Sequence, residues 1–496
     1  MSTQDLQSTN LEQTLHAGSW KIRTVWISRI VLFIWAWLKT FCRRLSTDWW
    51  ERFTDNVFVV ELVAHLHFMR GLLSRGSDAL RLEALLMACR LTKVPFSRRR
   101  LQTQLQPFLT GAKKDVSFKQ RVGWQRYYGE FGRIGIQKAL TTSLLLKAPG
   151  AGGEKGVLYC SFEYNWMRLI ANYDAAAVLK DYYLVGASSG ARNDYASMTS
   201  FAGLDRDPVF IGVSNLADFK PLQILRPVIE PLPILASDWT NPDLFSPKPH
   251  RERTIDILMV AAWPSLKRHW LLFEALRDMP RNLRVVLVGR NGKGRTEPEV
   301  RAEARSHGVR QNLELHTNLE IDEVYALQCD ARISAICTRR EGSCVAVAES
   351  LFAGTPVAMM EEAYIGSKAY INHRTGVLVR RRGLARQLQK FLDESERYNP
   401  REWAIENISC FQTSEKLNEI LRTWSLKTNR PWTTNIAPMC WRYVPAYVRQ
   451  DDKLRLAPAV EELRLKHGVI LEEFPGERAA KARELAQLQV AAKMAS

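Results

Sequence analysis

The chain has 496 residues, of which 46% are hydrophobic and 25% are charged. This length allows about three domains, and the composition argues against both bulk disorder and a chain made mainly of membrane spans. The formal charge of +18 indicates an anionic partner, such as phosphate groups, acidic lipid headgroups or nucleic acid. Because no zinc-finger spacing and no RNP-like motif is present, nucleic acid is not expected as a partner.

Residues 1–50 form a basic, aromatic segment that is most pronounced from Trp20 to Leu45. Its uninterrupted apolar run, Ile30 to Leu38, is far shorter than the ~20 residues of a spanning helix. Two interpretations remain: a helix in the headgroup region of an anionic membrane, or a helix packed into a core. A signal peptide is not expected, because no small-residue cleavage site follows.

Residues 51–148 are predicted to be mostly helical, with Asp78 to Leu91 and Phe131 to Lys147 the clearest periodic segments. No catalytic or ligand-binding motif is evident in this region. The cluster Arg98, Arg99 and Arg100 and the pair Lys113 and Lys114 either extend a membrane-facing surface or belong to solvated helix faces.

Residues 149–248 are predicted to be a small α/β domain. Its glycine-rich start, Ala148 to Gly156, is interpreted as a linker, because phosphate-binding glycines follow a strand and these precede one. The predicted elements are a strand at Val157 to Phe162, a helix at Trp166 to Lys180, strands at Tyr182 to Ala187 and Val209 to Val213, and a Pro-rich connector at Pro221 to Pro249.

Residues 249–410 alternate between short apolar β-rich runs and helical segments, which predicts a parallel sheet covered on both faces. The strands are expected at Thr254 to Ala262, Leu283 to Val288, Leu313 to His316, Arg332 to Cys337, Val357 to Met360 and Val377 to Val379. The helices are expected at Trp270 to Met279, Pro298 to Ser306, Asp322 to Cys329 and Val345 to Ala353. Ligands of such doubly wound sheets bind beyond the carboxyl ends of the strands.

The stretch TRREGSCVAVAESLFAGTPVAMM follows one of these strand ends. Ser343 is a good helix N-cap and Gly354 a good terminator. Glu341 precedes the helix and Glu349 lies about two turns along it, so both can face one crevice. Carboxylates accept hydrogen bonds from sugar hydroxyls, and the helix amino end attracts a pyrophosphate, which predicts a nucleotide sugar as ligand. Alternatively, Glu341 stabilises the helix dipole and Glu349 pairs with a core arginine.

This E-x7-E motif, with EGS at Glu341 and ES-L-F-A-G-T-P-V from Glu349, resembles that of the retaining GT-B glycosyltransferases of family four. The resemblance covers about residues 209–422. It includes PLPILASDWTNPDLFSP, VAAWPSLKRHWLLFEAL and NLELHTNLEIDEVYALQCDA. It implies a GT-B fold: α/β, with two facing Rossmann-like domains, here preceded by a mostly helical extension.

The resemblance also implies roles for residues. The first glutamate of the motif, Glu341, would contact the transferred sugar, Glu349 the ribose, and Lys267 the diphosphate. Lys267 and Glu341 are therefore the expected catalytic residues, because a cation at the diphosphate stabilises the leaving group. The expected donor-binding residues are Arg268, Gly342, Ser343, Cys344, Glu349, Thr317 and Asn318. No metal and no cofactor beyond the nucleotide-sugar co-substrate are expected.

Two departures from the family pattern favour a different function. The arginine usually found five residues before Lys267 is Ala262, for which Arg268 or His269 could compensate. No histidine lies between His67 and His250, where the family often has one in its first domain. Glu163, Asn165 or Asp194 would then act there, or activity has been lost.

The predicted function is transfer of a sugar with retention from a nucleotide sugar to an acceptor hydroxyl, in polysaccharide or glycolipid assembly. The alternative is a non-catalytic, nucleotide-sugar-binding or scaffold protein of the same fold; a nucleotide-sugar epimerase is a third option. The partners expected are the donor, a carbohydrate or lipid-linked acceptor and an anionic membrane surface.

Eight scattered cysteines without C-x-x-C pairs predict buried thiols and a cytoplasmic location, with peripheral attachment to the cytoplasmic membrane face as a further hypothesis. Residues 411–496 are assigned terminal helices and an extension without function, including a charged helix at Glu477 to Ala492.

Overall fold

The structure is a computed structural model that describes residues 56–110 and 138–471, apart from 75, 189–194, 293 and 443, and a few positions between 38 and 53. Most of the segment Trp20 to Leu45, Lys113 and Lys114, Asp194, and the predicted helix at Glu477 to Ala492 lie outside the described residues. Among those described, no helix combines the length and the apolar character needed to cross a membrane.

Three helices form the amino-terminal region: α1 (Val57–Leu73), α2 (Asp78–Leu91) and α3 (Pro95–Leu109). The side chain of Asn56 caps α1 by accepting from the amide of Phe58, and Ser77 caps α2 by accepting from the amide of Leu80. The predicted helix at Asp78 to Leu91 is confirmed. Buried residues of all three helices join the core of the first α/β domain.

The first sheet has five strands in the order β1-β2-β3-β4-β5, with β1 antiparallel to β2 and the others parallel. The strands are β1 (Ser143–Lys147), β2 (Gly156–Cys160), β3 (Tyr182–Ala187), β4 (Val209–Gly212) and β5 (Ile229–Leu232). The accompanying helices are α4 (Glu163–Asn172), α5 (Ala175–Asp181), α6 (Tyr195–Thr199) and α7 (Phe219–Leu222).

Two predictions in this domain are wrong. The helix expected from Phe131 to Lys147 is not found over the described part of that range, where Ser143–Lys147 form strand β1; residues 131–137 lie outside the described residues. Leu145 and Leu146 are buried there because β1 pairs with β2. The single helix expected from Trp166 to Lys180 is two helices, α4 and α5. Asp174 interrupts them, since its carboxylate accepts from the amide of Ala177 and thereby begins α5.

The second sheet has six parallel strands in the order β11-β10-β9-β6-β7-β8. Its strands are β6 (Ile255–Val260), β7 (Arg284–Gly289), β8 (Asn312–Thr317), β9 (Ala331–Ile336), β10 (Val357–Met360) and β11 (Gly376–Val379). Its helices are α8 (His269–Arg277), α9 (Glu297–Ser306), α10 (Ile321–Cys329), α11 (Val345–Phe352) and α12 (Leu384–Asp393). The order reverses beside β6, as in a doubly wound sheet, so the predicted strands and helices of this domain are confirmed.

The chain then returns across both domains through α13 (Pro400–Asn407) and α14 (Cys410–Lys427). Arg401 on α13 donates to the carbonyl of Phe352, and Leu417 and Leu421 on α14 pack under the first sheet. A hairpin of β12 (Met439–Arg442) and β13 (Val444–Tyr447) follows, and then α15 (Gln450–His467). The predicted fold class, α/β of the GT-B type with two facing Rossmann-like domains and a helical amino-terminal region, is confirmed.

All eight cysteines are unpaired, and seven of them are buried as predicted. Cys42 is the exception, because it is exposed.

Candidate functional site

A crevice of about 490 Å³ lies between the two α/β domains, where the strands β6, β7, β8 and β9 end. The second domain contributes Ala262, Lys267, Gly289, Arg290, Asn318, Glu341, Gly342, Ser343, Cys344 and Glu349 to its lining. The first domain contributes Ser161, Phe162, Ala187 and Ser188 from the ends of β2 and β3. The crevice therefore occupies the position at which a doubly wound sheet binds its ligand.

Lys267 and Glu341 form an ion pair inside this crevice. Nζ of Lys267 lies 2.5 Å from Oε1 of Glu341, and both side chains are mostly shielded from solvent. Lys267 ends the short turn 265–267 after β6, and Glu341 lies within the loop between β9 and α11. The second carboxylate oxygen of Glu341, Oε2, is buried and has no hydrogen-bond partner among the described residues. A buried acceptor of this kind is costly unless a ligand hydroxyl can reach it.

Glu349 is buried on α11 and also lines the crevice. Burial raises the pKa of its carboxyl to about 7, and a hydrogen bond from the side chain of Gln328 only partly opposes this increase. No ion pair joins Glu349 to an arginine in the described part of the chain, so the pairing with a core arginine is not found. The structure thus brings Glu341 and Glu349 together at one crevice, as the spacing of the motif predicted.

The amino end of α11 differs from the prediction in one respect. Ser343 does not cap the helix; the N-cap is Cys344, which has φ of 55° and makes no side-chain capping bond. The hydroxyl of Ser343 instead accepts from the amide of Ser237 at 2.8 Å, so this side chain links the two domains. The first amides of α11 therefore remain at the crevice without a side-chain cap, the arrangement that favours an anion. Gly354 ends the helix with φ of 70°, as predicted.

Arg268 and His269 lie behind the crevice. Arg268 is 1% exposed, and it donates to Oε1 of Glu362 at 2.8 Å and to the carbonyl of Cys337. His269 is fully buried against Trp263, and burial lowers its pKa to about 3, so its ring is neutral. The structure does not bring either side chain into the crevice as a substitute for the arginine that Ala262 replaces.

Thr317 and Asn318 end β8 but face different surroundings. The Thr317 hydroxyl donates to Glu297 at 2.9 Å and accepts from Trp263, which ties it to α9. Asn318 lines the crevice, with φ of 58° and its amide bonded to the carbonyl of Gly289. Of these two predicted contacts, only Asn318 can therefore reach a ligand directly.

The wall of the crevice opposite the carboxylates contains two aromatic side chains. Phe162 lines it from the end of β2, and Trp441 lines it from strand β12. Their rings meet edge to face with centroids 5.7 Å apart, and the ring of Tyr164 stacks on the other side of Phe162 at 5.6 Å. Aromatic faces pack well against the apolar faces of sugar rings. The sequence analysis missed Trp441, although the alternating run MCWRYVPAYV indicates a hairpin.

The side chains considered as replacements for the missing histidine lie elsewhere. Asn165 is fully buried, and its amide nitrogen donates to the carbonyls of Thr141 and Ser161 and to the hydroxyl of Thr142. Glu163 is 1% exposed at the start of α4, and Asp194 lies outside the described residues. Neither Asn165 nor Glu163 therefore lines the crevice, where the polar side chains of the first domain are Ser161 and Ser188.

Strand β12 also connects the two domains. Arg442, the residue after Trp441, forms an ion pair with Asp322 at the start of α10. Tyr447 on β13 donates to the carbonyl of Leu145 on β1 at 2.6 Å, which holds the hairpin to the first domain. The hairpin therefore spans the crevice beside Trp441.

Comparison with known proteins gives a family match for the second α/β domain. Residues 241–407 match the family model described as glycosyl transferases, group 1. A search of curated proteins finds no match.

Solved structures with similar folds include HepE from Anabaena in complex with UDP, at 13% identity and a TM-score of 0.44, covering 54% of this chain and 78% of that one. Sucrose-phosphate synthase from Thermosynechococcus elongatus has 15% identity and a TM-score of 0.41, covering 68% and 82%. A glycosyltransferase from Rickettsia africae has 16% identity and a TM-score of 0.41, covering 54% and 75%.

Proposed function

We propose that this protein is a glycosyltransferase that moves a sugar from a nucleotide-sugar donor to an acceptor hydroxyl with retention of configuration. The observation that carries the proposal is the convergence of Lys267, Glu341 and Glu349 on one crevice beside the uncapped amino end of α11. The group 1 glycosyl transferase match over residues 241–407, which contains all three residues, supports it.

The donor would lie along the second domain. Its diphosphate would take the ammonium of Lys267 and the first amides of α11, both of which carry positive charge or partial charge. The ribose hydroxyls would reach Glu349, whose protonated form can donate one hydrogen bond and whose ionised form accepts them. The transferred sugar would take the unpaired Oε2 of Glu341.

In the reaction, the bond between the anomeric carbon and the diphosphate oxygen breaks, and the acceptor oxygen bonds to that carbon. The acceptor hydroxyl passes its proton to the departing diphosphate oxygen, and the remaining negative charge of the diphosphate lies beside Lys267 and the helix end. Stabilising that charge is the main catalytic task of the protein groups. No metal ion is required in this proposal, because the cation and the helix amides supply the positive charge.

The acceptor would lie against Phe162 and Trp441, opposite the donor. We propose a carbohydrate acceptor that is lipid-linked or close to a membrane, as in surface-polysaccharide or glycolipid assembly on the cytoplasmic membrane face. The net charge of +18 supports this, because acidic headgroups attract such a protein.

Calorimetric titration of UDP, GDP and their sugar conjugates into the wild type and Glu349→Ala tests the donor site. We expect one nucleotide to bind the wild type and to lose affinity in the variant, whereas Glu419→Ala, an exposed glutamate on α14, leaves binding unchanged. Slow hydrolysis of the bound sugar conjugate by the wild type would demonstrate catalytic capacity. Absence of binding by every nucleotide would contradict the proposal.

The second candidate function is a non-catalytic protein that keeps the nucleotide site. Ala262 in the crevice and the neutral, buried His269 favour it, because neither supplies a second cation for the diphosphate. Nucleotide binding without hydrolysis or transfer, over a range of acceptors, would support this candidate.

A further inference from the structure

Helix α1 is apolar on both of its faces. Val60, Ala64 and Phe68 are buried where α1 packs against α2. The opposite face carries five large apolar side chains that are 40–86% exposed, namely Phe58, Leu62, Leu66, Met69 and Leu73. Because soluble helices normally place polar residues on the face away from the core, this face requires an explanation other than folding.

The five side chains form one continuous stripe. Their spacing of three or four residues places them along a single line on the helix surface. Phe58, at 86% exposed, begins the stripe and Leu73, at 77%, ends it, so it runs the length of α1. A contiguous exposed apolar surface of this size is typical of a site that contacts a partner or a membrane.

Basic residues lie on α1 and on its neighbour α3. The segment 56–110 contains eight arginines and lysines but only three acidic residues. Arg70 is exposed in the last turn of α1, and Arg99 and Arg100 are exposed on α3. The guanidinium carbon of Arg100 lies 4.8 Å from the ring centroid of Phe68, which places the basic part of α3 beside α1. An apolar stripe with flanking cations is the pattern of a helix that lies in the headgroup layer of an anionic membrane.

We propose that the stripe Phe58, Leu62, Leu66, Met69 and Leu73 docks this protein onto an anionic membrane surface, with α1 parallel to the membrane plane. The 17 residues of α1 are too few for a crossing, and its inner face is already packed in the core. This proposal extends the membrane-proximal part of the proposed function, and its biological role depends on that function. Its physical basis is independent of the donor site.

The docking surface is linked to the crevice by a short chain of contacts. Arg52, just before α1, donates to Oε2 of Glu362 at 3.0 Å, and Oε1 of the same carboxylate accepts from the buried Arg268. Two residues further along, the carbonyl of Tyr364 accepts from the amide of Glu341 at 3.2 Å. Docking through α1 would therefore hold the crevice close to the membrane, where a lipid-linked acceptor is found.

Vesicle co-sedimentation of the full chain tests the proposal. The vesicles are phosphatidylcholine alone and phosphatidylcholine mixed with phosphatidylglycerol, and the test variant carries Leu62→Gln with Leu66→Gln, because glutamine maintains a helix. The matched control carries Leu454→Gln with Leu465→Gln, two leucines on α15 that are 65% and 70% exposed. Unfolding temperature and calorimetric nucleotide binding verify that each variant is folded.

We expect the wild type and the control to bind the anionic vesicles more tightly than the neutral ones, and the test variant to lose at least about tenfold in affinity. Salt should weaken binding, because the basic flank contributes. Equal binding by the test variant and the wild type would overturn the proposal, as would no binding by either. Light scattering that shows a dimer of the wild type, dissociated by the same two substitutions, would identify the stripe as a contact between two copies and would also overturn it.

These outcomes are separate from those of the donor site. Loss of vesicle binding by the test variant, with unchanged nucleotide affinity, would assign the effect to the stripe on α1 and not to the donor site. A failure of nucleotide binding in the wild type, with vesicle binding intact, would contradict the proposed function and leave the docking surface standing.

Discussion

Nζ of Lys267 lies 2.5 Å from Oε1 of Glu341, so the cation and the carboxylate neutralise each other across the crevice. A diphosphate that binds Lys267 would compete with Oε1 of Glu341 for the ammonium group. Any release of Oε1 would leave both carboxylate oxygens free for the sugar, which would couple occupation of the two proposed subsites.

This coupling predicts opposite effects of Glu341→Gln on binding and on turnover. Nucleoside diphosphate affinity should rise roughly fivefold, about 1 kcal/mol, because Lys267 no longer has a competing anion. Transfer should fall, because the sugar loses its charged partner. Calorimetry with the nucleotide and a transfer assay measure the two effects. A decrease in nucleotide affinity would contradict the competition between the carboxylate and the diphosphate.

Substitution of Lys267 by alanine should reduce turnover by about a hundredfold or more, since the charge of the leaving diphosphate loses its nearest cation. Nucleotide affinity should fall as well. Lys390→Ala, on the exposed surface of α12, is the matched control and should leave both quantities unchanged. Wild-type turnover in Lys267→Ala would exclude a catalytic role for this residue.

The stability of the protein should depend on pH through Glu349. Its pKa is about 7 in the folded chain and near 4.5 in the unfolded chain, so between these values the folded state binds more protons. The contribution of this group to the free energy of unfolding is fully present below about pH 4.5 and is lost as the pH rises through about 7. The total loss is about 3 kcal/mol. The glutamine side chain of Glu349→Gln cannot ionise. The unfolding temperature of this variant, relative to that of the wild type, should therefore increase as the pH rises. A constant difference between the two unfolding temperatures over this range would show that the carboxyl is not buried as described.

Trp441→Ala should weaken binding of the acceptor without weakening binding of the donor. The side chain lines the crevice and packs against the ring of Phe162 in the first domain, so the KM for the acceptor should rise while nucleotide affinity stays constant. Hydrolysis of the donor by water should persist. Trp441→Phe keeps an aromatic face and should restore most of the acceptor affinity. An equal loss of nucleotide binding in Trp441→Ala would instead indicate that the hairpin supports the donor site.

The second domain was predictable because each of its strands is a short apolar run between turn residues, and its motif residues follow strand ends. Glu341 and Glu349 meet because Glu341 lies in the short loop before α11 and Glu349 lies on α11 itself, so both stand at the same strand-end crevice. Strand β1 was not predictable in the same way, since its partner β2 and the burial of Leu145 and Leu146 depend on tertiary pairing. The position of Trp441 in the crevice lining could not be predicted, because it depends on β12 folding back over the crevice from far along the chain. No local sequence pattern encodes that arrangement.

Ser343 shows the same limit at a single position. Its residue type suits a helix cap, but the hydroxyl meets Ser237 of the interdomain stretch, and Cys344 adopts the N-cap position instead. A local preference was overridden by a contact between residues 106 positions apart.

The amide of Leu140 donates to the carbonyl of Ile470 at 2.8 Å, so the chain just before β1 and the chain just after α15 lie side by side. Two chain positions that adjoin in this way can be joined by a short covalent link, with new ends opened at an exposed loop, as in circular permutation. The polypeptide that forms the two α/β domains therefore begins and returns at one point of the structure.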